Sequence, residues 1–265
     1  MSDYCISDIE EALKRIGIKY GDDIFIHSNI GFFGRLENCQ SRDQLCDAFL
    51  NSIYHVIGKN GTAVFPTFSY SFCHGELFDP NYTKTTCGLL SQYVLEQTSA
   101  VRSLDPNFSI AAIGDRANYY TEHPTHESFG KGCFFERFVN HNGKIVCMNF
   151  DAGSTFIHYI ECKNAVEYRY NKAFNGMIQD GEKKRKDYFV HFVYSLEKPE
   201  DAPCMPNVNS FCKRYHLFKK TKLGKGALLA MPSKIYCEMI EKELRANPRF
   251  MTIGGSEIRN EQQEK

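Results

Sequence analysis

The stretch "DIFIHSNI", residues 23 to 30, sets Ile24, Phe25 and Ile26 in a row and then breaks into the polar trio His27, Ser28 and Asn29. A short apolar run closed by polar residues reads as a buried strand ending in a turn. Downstream, "SRDQLCDAFLNSIYHVIG" (41 to 58) pairs Ser41 with Gln44 in a capping box and spaces Leu45, Ala48, Phe49, Ile53 and Val56 along one helix face. "TAVFP" (62 to 66) is a second short strand. Upstream, "SDIEEALKRIG" (7 to 17) carries Ser7 and Glu10 as a capping box, Ile9, Ala12, Leu13 and Ile16 at helical spacing, and Gly17 as a stop. Helix, strand, helix, strand predicts an α/β sheet with helices packed on it.

The alternation continues with helices in "GLLSQYVLEQT" (88 to 98), "CFFERFVN" (133 to 140) and "STFIHYIECKNA" (154 to 165), and strands in "SIAAIG" (109 to 114) and "KIVCMNF" (144 to 150). Past residue 165 the pattern changes. "DYFVHFVYS" (187 to 195) alternates like an antiparallel strand, "GEKKRKD" (181 to 187) reads as a charged hairpin tip, "PEDAPCMPNV" (199 to 208) as a Pro-rich loop, and "MPSKIYCEMIEKELRANP" (231 to 248) as a closing helix with Pro232 near its first turn. The expectation is one domain over 1 to 265: an α/β core to about 165, an antiparallel acceptor-side portion over 166 to 250, and a frayed tail over 254 to 265.

With 42% apolar residues the chain can bury a large core. It has no run long enough to span a bilayer and no signal-peptide pattern at its start, so a cytoplasmic protein without a membrane partner is expected. Eleven cysteines without a CxxC are read as reduced thiols. Lys plus Arg equals Asp plus Glu at 32 each, which gives no field to collect nucleic acid. The last third is locally basic, in "EKKRK" (182 to 186) and "CKRYHLFKKTKLGK" (212 to 225), which is either a solvated face or a wall for an anionic ligand.

Ligands of α/β sheets collect at the carboxyl ends of strands, so "HSN" (27 to 29), "PTFSYSF" (66 to 72) and "DAGST" (151 to 155) are candidate site walls. His158 and Glu161 sit three apart on a helix that Ser154 or Thr155 could cap. They share a face, so the carboxylate can fix one imidazole tautomer and leave the other nitrogen as a general base; a half-buried histidine beside a surface acid has the same spacing. His123, His126 and Glu127 in "HPTHE" are too few and too irregular for zinc, and no metal is expected. Walker, dinucleotide-binding and GxSxG signatures are absent, and none of the cysteines lies in a nucleophile signature.

In this order, "GDDIFIHSNI", "GTAVFPTFSYSF", "AVRSLDPNFSIAAIG" and "STFIHYIE" resemble the HSS-like, PTF, RSxHPxxS and TxxHxxE segments of the aminoglycoside 3-N-acetyltransferase family, over roughly residues 5 to 250. The resemblance implies that family's fold, a mixed central sheet with flanking helices, with acetyl-CoA as co-substrate. It makes His158 and Glu161 the catalytic pair, with Thr155 beside them. His27, Ser28, Asn29, Arg102, Ser103 and Ser109 fall on the acyl-CoA side, and Pro66 and Thr67 on the cleft floor, with Tyr70 and Asp105 assigned to substrate. Two positions depart: Asp105 stands where the family has His, and the HSS-like turn ends in Asn29. The implied chemistry is direct acyl transfer to a primary amine, His158 accepting its proton.

The basic stretch Lys183, Lys184, Arg185 and Lys186 favours an anionic acceptor, a nucleotide-linked amino sugar for surface polysaccharide, over an aminoglycoside drug. A scaffold protein that kept the fold and lost the donor site is the alternative from another class, with a metal-dependent hydrolase behind it. A homodimer is compatible with the many aromatic residues.

Overall fold

The computed structural model describes residues 1 to 122 and 125 to 255. The chain lays down α1 (Ile6–Arg15), β1 (Asp23–Ser28), α2 (Arg42–Ile57), β2 (Thr62–Pro66), α3 (Leu89–Leu95), β3 (Val101–Arg102), β4 (Ile110–Gly114), α4 (Ala117–Thr121), α5 (Phe134–Asn140), β5 (Lys144–Met148) and α6 (Phe156–Lys163). It continues with β6 (Tyr170–Asp180), β7 (Lys183–Val193), α7 (Met205–Arg214), β8 (Lys219–Leu223), β9 (Gly226–Pro232) and α8 (Ser233–Ala246).

Seven strands form a mixed sheet in the order β3-β4-β2-β1-β5-β9-β8. The central trio β2, β1 and β5 is parallel, and the outer strands run antiparallel to their neighbours. Strand alternation divides the core in two. Phe25, Val64, Ile145 and Cys147 face the layer containing α5, α6 and α8, where Phe134, Phe138, Phe156 and Tyr236 are buried. Ile24, Ile26, Ala63, Phe65, Val146 and Met148 face α1, α2 and α3. Helices therefore cover both faces, as parallel strands require.

Several sequence expectations are corrected. The α1 cap is Cys5, whose backbone N–H donates to Asp8 at 2.8 Å, so Ser7 lies inside the first turn and does not cap. Half of the α2 box forms: Ser41 Oγ accepts from the Gln44 N–H at 3.1 Å, whereas Gln44 Oε1 accepts from the Gln40 N–H at 2.7 Å, one residue before the cap, and not from Ser41. "KKRKD" is strand rather than hairpin tip, because the turn needs only Gly181, at φ +58°, and Glu182. Part of the Pro-rich loop is α7, which tolerates Pro206 because the first turn of a helix has no use for its missing N–H. The basic run at 219 to 225 hides β8, an edge strand whose lysines face solvent. Through β9, the part of the chain after residue 165 rejoins the main sheet beside β5. Of the tail, only Gly254 and Gly255 are within the described residues, and His123 of the zinc candidates lies outside them.

The ribbon of β6 and β7 is a separate two-stranded sheet. Six residues separate it from α6, and it bridges to Phe78 on one edge and Glu127 on the other. All eleven cysteines are free thiols, and no described helix is long and apolar enough to cross a membrane.

Candidate active site

The carboxyl ends of the three parallel strands lie side by side and place the turns at 27 to 29, 66 to 72 and 151 to 155 along one rim. His27, on β1 opposite Cys147 of β5, reaches across so that its Nε2 is 2.8 Å from Ser154 Oγ at the start of α6. Burial brings the imidazole down to about 4, so it is neutral and serves as a polar wall without charge. The Asn149 side chain donates to the Asn29 carbonyl at 3.2 Å, tying the same two turns together, and the Ser28 hydroxyl is buried without a partner. The half-exposed Phe150 ring stands 6.1 Å from His27.

One turn into α6, His158 Nδ1 is 2.8 Å from Glu161 Oε2. Thr155 is the helix N-cap, although its side chain makes no capping bond. Glu161 is fully buried and has two further partners: Tyr168 donates its hydroxyl to Oε1 at 3.0 Å, and Arg169 brings Nε to 2.7 Å from Oε2. The Arg169 approach is off the hydrogen-bond axis and is an ion pair rather than a directed bond. Burial pushes the Glu161 carboxyl up, but the hydrogen bond and charge of His158 and the charge of Arg169 outweigh it and hold the group below its ordinary value. An ionised Glu161 accepts from Nδ1–H, an assignment that follows from the bonding network and leaves Nε2 with its lone pair. His158 keeps 19% of its side chain exposed, and Phe129 packs edge-on at 5.4 Å.

A second block extends the β2–β4 pairing. The Thr67 N–H donates to the Ser109 carbonyl, Ser109 Oγ donates to the Thr67 carbonyl at 2.7 Å, and Ser103 Oγ accepts from the Ile110 N–H. Arg102 binds Ser109 Oγ and the carbonyls of Thr67, Pro80 and Thr83, and it stacks on Phe78 at 4.9 Å. Its guanidinium is committed to holding the loop after β2. Asp105 is likewise turned inward: Oδ1 caps the N–H groups of Asn107 and Phe108, and Oδ2 accepts from Ser128. Where the family motif has an imidazole, this chain has a turn-forming carboxylate, and the buried His191 of β7 stands close by, 2.9 Å from the Asn107 amide. Tyr70, after the β2 floor of Pro66 and Thr67, takes a left-handed backbone at φ +55°, and burial raises its phenol to about 12. Its ring meets Phe108 at 5.2 Å, and Phe108 meets Phe129 at 4.8 Å, so an aromatic wall runs from Tyr70 to His158.

The structure thus joins the HSN turn to the start of α6 and the PTF floor to the RSLDPNFS segment, with Phe108 and Phe129 linking the floor to His158. Sequence reasoning missed Tyr168, Arg169, Asn107, His191 and Phe129. Only Tyr168 and Arg169 carried a signal, a Tyr-Arg pair seven and eight residues after Glu161. The lysine run is also placed: Lys184 pairs with Gln179, nine residues beyond Tyr170, so it lies roughly 30 Å along the ribbon from its base at Tyr170, next to the Ile178 bridge to Phe78. Among the described residues no group of three His, Cys, Asp or Glu side chains could hold a metal ion.

The family model for aminoglycoside 3-N-acetyltransferase matches residues 25–245. The chain belongs to that family. An aminoglycoside N(3)-acetyltransferase III from Salmonella is 27% identical over 224 residues, which span 73% of this chain and 76% of the relative. Among solved structures, AAC-IIIb in binary complex with CoASH superposes with a TM-score of 0.78 at 15% identity, covering 91% of this chain and 96% of that one. AAC-VIa bound to sisomicin gives 0.76 at 18% identity, covering 92% and 98%. At those identities the superpositions establish the shared fold. Family membership makes the protein an N-acetyltransferase.

Proposed function

We propose that this aminoglycoside 3-N-acetyltransferase family member acetylates a primary amine of a cationic amino sugar of the aminoglycoside kind, with His158 as the general base and Glu161 as its orienting carboxylate. The observation that carries the reading is the His158–Glu161 contact of 2.8 Å on a helix whose start, at Ser154, meets His27. Acetyl-CoA supplies an acetyl group activated as a thioester. An amine at neutral pH is mostly ammonium and has no lone pair for attack, so a base must take its proton. His158 has one nitrogen committed to Glu161 and one free, and the imidazolium formed is stabilised by the carboxylate. His27, Ser154 and Thr155, at the start of α6, fit the carbonyl end of the donor, because neutral hydrogen-bonding groups at a helix N-terminus favour developing negative charge.

Two observations support a cationic acceptor over the nucleotide-linked sugar favoured by the basic composition. The lysines that suggested an anion lie at the far tip of the ribbon. Near α6 there is instead a carboxylate: the Glu127 side chain folds over Gly130, and none of the ion pairs among the described residues uses it. Glu127 is two residues before Phe129, whose ring packs on His158, and its charge, with burial and Glu161, raises the Cys162 thiol one helical turn beyond His158. The relatives named above support the same acceptor class.

The test is thiol release from acetyl-CoA against a panel of aminoglycosides and nucleotide-linked amino sugars, with His158→Ala as control. Turnover with an aminoglycoside that the substitution abolishes is expected. Turnover confined to nucleotide-linked sugars would overturn the acceptor assignment, and full activity in His158→Ala would overturn the base.

A further inference from the structure

We infer that Arg169, supported by Tyr168, is a positioning residue for the reaction: it fixes the carboxylate that fixes the His158 ring, and it anchors this array to the base of the β6–β7 ribbon. The inference rests on the assignment of His158 as base. The geometry is specific in three respects. His158 Nδ1 and Arg169 Nε converge on the same oxygen, Oε2, at 2.8 and 2.7 Å, while Tyr168 holds Oε1 at 3.0 Å. Tyr168 holds one oxygen by a hydrogen bond while the Arg169 charge and His158 share the other, and the observed direction of Nδ1–H is the one this arrangement favours. Second, the Arg169 side chain is itself 4% exposed and lies between the rings of Tyr168 and Tyr194, at 6.0 and 5.5 Å, so its charge is delivered from a fixed place. Third, Arg169 immediately precedes β6, and its Nη1 reaches toward the Phe192 carbonyl on β7, so both ribbon strands meet at the residue that grips the catalytic carboxylate.

The groups that face Glu161 are His158 and Cys162 on its own helix and Tyr168 and Arg169 after it, with Arg249 stacked on the Tyr168 ring at 5.6 Å. Arg169 is the permanent cation of the set in direct contact. Without it, the penalty of burying Glu161 is offset only by His158 and the Tyr168 hydroxyl, and the carboxyl takes up a proton at a higher pH. A protonated Glu161 becomes a donor and can no longer define the Nδ1–H tautomer.

The experiment compares wild type with Arg169→Met and Arg169→Lys. For Arg169→Met the expected kcat falls roughly 10- to 100-fold while the KM values for donor and acceptor stay within about 3-fold, the size expected for misoriented catalytic groups. The acid limb of its kcat profile moves to higher pH. Arg169→Lys, which keeps the charge and loses the planar fork, recovers a substantial part of kcat and returns the acid limb. Nitrogen chemical shifts of the histidines, recorded without substrate, show one Nδ1–H tautomer of His158 in wild type and a mixture in Arg169→Met. That readout is independent of acceptor identity, so failure to find an amine substrate leaves it standing. A lower melting temperature with unchanged pH profile and unchanged His158 signals would overturn the inference and leave Arg169 as a structural residue.

Discussion

Replacing Glu161 with Gln keeps the side-chain shape and deletes the charge. The variant leaves Arg169, with 4% of its side chain exposed, without its counter-charge, and sets an amide against the two groups that shared Oε2. Removing one member of a buried ion pair costs about 3 to 5 kcal/mol, most of it the penalty of the stranded partner. At about 2 to 4 °C per kcal/mol for a chain of this size, the melting temperature falls by roughly 10 °C. The loss depends on pH with a definite sign. The folded carboxyl titrates below its ordinary value, so its stabilisation is complete above the unfolded value of about 4.5 and vanishes as pH falls through the lower folded value. The gap between wild type and variant is therefore widest at neutral pH and closes in acid. Catalysis falls about 100- to 10,000-fold, the range for loss of an oriented general base, and combining the change with His158→Ala adds little, because the two residues act as a unit. The assay is calorimetric melting from pH 2 to 8 together with thiol release at saturating donor near neutral pH. A melting temperature within about 2 °C of wild type at pH 7, with kcat within about 3-fold, would refute the account of this pair.

His27, neutral because burial depresses it to about 4, contributes stability that is full above an unfolded value near 6.5 and is lost as pH falls toward 4; the partly open ring limits this to about 1 to 2 kcal/mol, and urea titrations of His27→Gln should flatten the slope in that window. Phe25→Ala removes a ring in contact with Phe134, Phe135, Phe138 and Phe156 and should destabilise by about 3 to 5 kcal/mol in denaturant unfolding, since the cavity sits under the start of α6. Neutralising Lys183, Lys184 and Lys186 together to Gln should leave kcat/KM for an aminoglycoside within about 2-fold, because an exposed charge beyond a Debye length is screened; a larger loss would place the ribbon tip at the acceptor.

By itself, the sequence determined the elements whose cause is local. Apolar periodicity announced α2, β1, β2, β5 and α6, and the Ser41–Gln44 box announced where α2 begins, because each depends on residues within a few positions of one another. The pair His158 and Glu161 was legible for the same reason: one helical turn brings them together whatever the fold. The solvent-facing lysines of the basic run concealed β8, and the first residues of β7 were read as a hairpin tip, since an edge strand needs no apolar run of its own when its neighbour supplies the core. Tertiary structure alone decided what holds Glu161, what Asp105 does and where the basic run points. Arg169 grips its carboxylate from beyond the end of α6, Asp105 is consumed by the turn it caps and by Ser128, and Lys184 is carried away along β7. Long-range pairing and burial fix these outcomes, and both are properties of the assembled sheet and ribbon that no window of sequence contains.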